Sequence, residues 1–92
     1  MPLTALESEL RTRIRAQIEQ GELPSEVPTT IWGGNGSGEK CSACDKPIER
    51  NEVEFEYSIG AASIRFHRLC HGLWQIECER AVALQRKNAR LG

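Results

Sequence analysis

What this chain lacks narrows the field before any motif is read. It has no apolar run long enough for a signal peptide or a membrane span, and Met1-Pro2-Leu3-Thr4 leads straight into a charged, helix-patterned stretch. Without an export signal the expected compartment is the reducing cytoplasm, where four cysteines point to metal or redox chemistry rather than disulfides. Neither sign of charge dominates: 12 basic residues face 13 acidic ones, which argues against wholesale nucleic-acid binding through a strongly basic surface. Aromatic residues make up only 5% and hydrophobic residues 39% of the 92. Chains of this length bury only about 60–65% of their unfolded surface, so the core should be thin. The portion from Cys41 onward has the size at which a bound metal commonly supplements such a core.

What is present is a pair of pairs. Cys41-Ser-Ala-Cys44 is followed by His67-Arg-Leu-Cys70, each pair with two residues between its members. That is the spacing of a closed tetrahedral zinc site. A short loop carrying the first pair can turn both thiolates to one point. His67 and Cys70, three apart at the start of a helix, would share a helical face. Three thiolates and one imidazole fill zinc's four positions and leave none for water or substrate. The expectation is therefore one structural Zn2+ held by Cys41, Cys44, His67 and Cys70, realised only in the folded state, with no enzymatic activity and no small-molecule substrate. Cys70 would gain from the positive end of its helix. Lys40, Lys46 and Arg68 lie close in sequence to offset the negative complex. One ring nitrogen of His67 should meet the metal while the other donates to an acceptor behind it.

His71 and Cys78 stay open as replacements. On a helix His71 points about 100° away from Cys70, and Cys78 lies about 12 Å further along the axis by the 1.5 Å rise. A buried, small, apolar role suits Cys78 better. Other uses of the cysteines fit poorly. A thioredoxin-like pair needs a βαβ frame, haem attachment needs His where Asp45 stands, and an iron–sulfur cluster would have to recruit the distant Cys78. A catalytic metal would need an open position and a base, for which Glu52, Glu54 and Glu56 are the candidates. As a row on the outer face of a strand, they read as solvated surface.

Local patterns divide the chain into a helix at 1–21, a connector at 22–40 and a zinc-finger-like domain at 41–92. Thr4 and Glu7 fit a capping box, Leu3, Leu6, Leu10, Ile14 and Ile18 form an apolar stripe, and Gly21 and Pro24 end the helix. Arg11, Arg13 and Arg15 mostly occupy other faces. The connector is stiff near Pro24 and Pro28 and loose through Gly33-Gly34-Asn35-Gly36-Ser37-Gly38. It carries Trp32, read chiefly as a core anchor, with docking of a partner as the other reading. Gly33 and Gly38 match the two glycines of a phosphate-binding loop, but Glu39 and Lys40 replace its lysine and hydroxyl residue. Val53, Phe55, Tyr57 and Ile59 alternate with polar residues as a strand, Gly60-Ala61-Ala62 turns it, and Ile64 and Phe66 continue a returning strand. From Arg68 the pattern is helical to about residue 88, fraying toward Gly92, with Leu69, Leu73, Ile76 and Leu84 apolar. Residues 68–92 carry five basic and two acidic groups. Arg86, Lys87 and Arg90 suit the negative end of a helix dipole, and with Arg80 they are also the candidates for phosphate contact.

The fold expected is α+β: an N-terminal helix, a zinc knuckle, a β-hairpin and a long C-terminal helix. At Cys41-x-x-Cys44 and His67-x-x-Cys70 the chain resembles the first zinc site of LIM domains and, more loosely, treble-clef fingers, over residues 39–80. The resemblance implies the same four ligands and a module that binds proteins or nucleic acids. A LIM domain would continue with a cysteine where Leu73 stands, so one site is implied here, not two. The Gly-Ser-Gly before the knuckle and Phe66-His67-x-x-Cys70-x-x-x-Trp74 after it also resemble short bacterial proteins, a likeness that implies no activity. The expected partner is another protein or a second copy of the chain, with a nucleic acid as the alternative and no membrane.

Overall fold

The computed structural model describes residues 4–91, with side chains described through residue 85. Leu3 of the apolar stripe, the fraying toward Gly92, and the side chains of Arg86, Lys87 and Arg90 lie outside the described residues. The architecture is α+β. Helix α1 spans Ala5–Glu19, strands β1 (Trp32–Asn35), β2 (Val53–Ile59) and β3 (Ala62–His67) form one sheet, and helix α2 spans Arg68–Leu91. The chain divides into two compact units, one of residues 1–27 and 73–92 and the other of residues 28–72. No helix among the described residues is long and apolar enough to cross a membrane.

In the unit of residues 1–27 and 73–92, α1 begins on the capping box read from its sequence. The Thr4 hydroxyl accepts the Glu7 amide at 3.1 Å and the Glu7 carboxylate accepts the Thr4 amide at 3.3 Å, satisfying two amides that no helical carbonyl reaches. The helix stops at Gly21, whose φ of +79° favours glycine. Ile14 is fully buried, but Leu6 is exposed, and the inner face also carries Arg11 and Arg15. The apolar stripe alone would put those arginines on other faces. Both reach Glu77 of α2, which is only 2% exposed, whereas the apolar Ile76 beside it is 43% exposed. The buried stripe of α2 in this unit is Leu73, Trp74, Glu77 and Cys78, not the line through Ile76 and Leu84. A carboxylate tolerates that position because two guanidiniums neutralise it and fill its lone pairs. The Trp74 indole donates to the Pro24 carbonyl at 3.0 Å, anchoring the segment that follows α1.

In the unit of residues 28–72 the sheet runs β1-β2-β3, antiparallel throughout. Ile59 pairs with Ala62, so Gly60 and Ala61 make a two-residue turn with φ of +59° at Gly60, as a hairpin twist requires. Tyr57 and Phe66 are buried on one face with the His71 ring, which stacks on Phe55 at 4.4 Å, and Ile48 and Ala43 are buried as well. The loose half of the connector is corrected here: Trp32-Gly-Gly-Asn is a strand, with Trp32 opposite Glu56 and Asn35 opposite Val53. Its own side chains give little strand preference; the exposed edge of β2 supplies the hydrogen bonds. The chain then passes so close to residues 48 and 49 that a Cβ at Gly36 would fall 1.9 Å from the Glu49 carbonyl oxygen. Trp32 is also corrected, since at 62% exposed it anchors no core.

Candidate metal centre

The turn of residues 41–44 is closed by backbone bonds, Asp45 N–H to the Cys41 carbonyl at 2.9 Å and Cys41 N–H to the Lys46 carbonyl at 2.9 Å. Asp45 takes a φ of +64°, a conformation that aspartate tolerates better than bulkier residues. This turn is fastened to β3 at one rung. Ser42 N–H donates to the Arg65 carbonyl at 2.7 Å, and Arg65 N–H donates to the Ser42 hydroxyl at 3.1 Å. Two residues further on, β3 ends at His67, and Cys70 follows in the first turn of α2. The second pair therefore straddles a strand end and a helix start, the helix beginning at Arg68 where the apolar pattern turns helical.

The result is that the ligand atoms of Cys41, Cys44, His67 and Cys70 all lie within 4.8 Å of one another. Cys41 and Cys70 are buried, Cys44 and His67 partly so, and all are free thiols or imidazole. Tetrahedral Zn2+ with sulfur at about 2.3 Å needs ligand atoms about 3.8 Å apart, so a small closure suffices. The four are positioned to bind a metal ion. His67 shows how its ring is divided: Nδ1 lies 3.3 Å from Cys44 Sγ, and Nε2 lies 3.0 Å from the Pro47 carbonyl oxygen. A carbonyl can only accept, so Nε2 carries the proton and Nδ1 presents its lone pair to the sulfurs. Glu52 Oε1, 3.7 Å from Nε2, adds a second negative neighbour on that side.

Three thiols crowded together resist full ionisation without a cation. The Cys41 thiol is pulled down to about 4, chiefly by the hydrogen bond from Cys70. That same bond, followed by burial, pushes the Cys70 thiol upward, and burial pushes Cys44 upward too. One thiolate forms readily, and the other two need a positive charge among them, which is what a divalent ion supplies.

The flanking groups behave differently from expectation. The glutamates of β2 are not a solvated row. Glu54 is 8% exposed, and its Oε1 accepts the Ser37 hydroxyl at 2.8 Å and the Ser37 amide at 3.2 Å. Glu56 pairs with Arg65 at 3.1 Å. Because β2 is the central strand, β1 with its following loop and β3 cover both sides of its outer face. Neither reserve candidate joins the cluster: His71 Nε2 meets the Tyr57 hydroxyl at 2.7 Å, and the Cys78 thiol meets the Pro24 carbonyl at 3.6 Å. The contributions of Pro47 and of the Ser42–Arg65 rung were missed. Pro47 acts through backbone oxygen, for which residue type carries no signal. Comparison with protein-family models, curated proteins and solved structures finds no match.

Proposed function

We propose that this chain is a non-enzymatic, cytoplasmic protein-interaction module, built as a treble-clef or LIM-like single finger around one structural Zn2+. The observation that carries the reading is the donor set: three sulfurs and one imidazole nitrogen within 4.8 Å, with the other imidazole nitrogen committed to Pro47. Soft thiolates with one imidazole suit zinc. All four tetrahedral positions are taken by protein, so the ion fixes geometry and has no open face for a substrate. The interaction half of the reading draws on apolar side chains left at the surface, Trp32, Ile76 and Leu84 among them. Elemental analysis of purified protein, beside Cys44→Ser and His67→Ala, tests it. One equivalent of zinc in the parent and clear loss in both variants is expected; equal metal content in all three would refute it.

A further inference from the structure

We infer that the second half of α2 pairs antiparallel with the same segment of a second copy of this chain, across a cleft in the unit of residues 1–27 and 73–92. The cleft has a volume of about 390 Å³. Glu26 and Val27 line one side, and Cys78, Glu79, Val82 and Ala83 line the other. It stays open because Cys78 and Ala83 are too small to fill it. Its wall is fixed in place: the Pro24 carbonyl accepts from the Trp74 indole at 3.0 Å and from the Cys78 thiol at 3.6 Å. The floor is apolar and the lip acidic, with Glu26 and Glu79 both exposed. The Cys78 thiol inside is pushed up to about 11, first by burial and then by the charges of Glu77 and Glu79.

An occupant should bring apolar side chains and positive charge. The chain itself contains such a stretch, Leu84-Gln-Arg-Lys-Asn-Ala-Arg-Leu91, with three basic residues and no acidic one. It cannot serve its own cleft. Helix α2 is continuous to Leu91, so each residue beyond Ala83 is carried about 1.5 Å further away along the axis. The complement must come from another molecule. An antiparallel copy centred on Val82 and Ala83 sets position 86 of one chain opposite Glu79 of the other, twice by symmetry. It also opposes the two helix dipoles. A parallel copy would set acid beside acid.

This inference rests on the interaction-module reading, and zinc content measured on the same samples separates a failure of the metal site from a failure of pairing. The test is sedimentation of the zinc-loaded full chain from about 1 µM to about 1 mM. A reversible dimer is expected, several-fold weaker when salt rises from about 0.05 M to about 0.5 M. Glu79→Arg should weaken it roughly tenfold, and Glu79→Arg with Arg86→Glu should restore it, with helix content by circular dichroism unchanged in both. A monomer across the range, a dimer indifferent to salt and to Glu79→Arg, or a double variant that fails to recover would each overturn the proposal.

Discussion

The two units supplement a thin core in different ways. The unit of residues 28–72 buries Tyr57, Phe66 and Ile48 and adds four convergent ligands, Cys41, Cys44, His67 and Cys70. The unit of residues 1–27 and 73–92 relies on burial, with Trp74 and Ile14 fully enclosed, and on one ion-pair clamp in which Arg11 and Arg15 hold Glu77. One half should be conditional on a metal ion, the other on apolar packing. The contrast teaches that a chain with few aromatics can still order itself when cohesion is concentrated at two points.

Metal removal should break that contrast most strongly. With structural zinc contributing on the order of 10 kcal/mol of apparent binding energy, a strong chelator should dissolve the tertiary order of residues 28–72. Amide exchange would show it as lost protection across β2 and β3, with α1 less affected. Equal loss in both units would mean that they are not distinct in this respect. Trp74→Ala is the converse test. Removing a fully buried indole should cost about 3–5 kcal/mol in thermal or denaturant unfolding, and the variant should still bind the metal ion.

A smaller effect is expected at Glu77, where substitution to Gln should cost about 1–3 kcal/mol near neutral pH because two guanidiniums lose their buried partner. The sign with pH follows from the carboxyl itself. Burial alone would raise its pKa, but the hydrogen bonds and charges of Arg15 and Arg11 outweigh burial and hold it below the ordinary 4.5. A carboxyl lowered by folding stabilises fully above that ordinary value and loses its contribution as pH falls through the lower folded one. The gap between parent and Glu77→Gln should therefore narrow in acid. A gap that widened would contradict the clamp. Least of all should come from Trp32→Ala, within about 0.5 kcal/mol of the parent, since its ring is largely in water. A large loss would return Trp32 to the role of anchor that the sequence reading favoured.

Those expectations divide along the line between local and distant causes. The start and end of α1 were legible because Thr4, Glu7 and Gly21 act on neighbouring backbone. The hairpin was legible because period-two alternation and Gly60 are likewise local. The pairing of Cys41 and Cys44 with His67 and Cys70 was legible from spacing, and the change from period-two to helical pattern at Arg68 marked the boundary between strand and helix. Strand β1 escaped notice because Trp-Gly-Gly-Asn is extended for the sake of β2, not by its own preference. Glu77 escaped because its two partners stand more than 60 positions earlier, so nothing near it in the sequence marks it as buried. Glu54 was misread as solvated for a related reason, since Ser37 and the strands on either side cover it only in three dimensions.

X-ray absorption at the zinc edge on the purified, metal-loaded protein tests the centre of this account most directly. The account predicts three sulfur neighbours at about 2.3 Å and one nitrogen at about 2.0–2.1 Å, with the nitrogen lost in His67→Ala. A neighbour shell of oxygen and nitrogen alone, or a spectrum unchanged by that substitution, would contradict it.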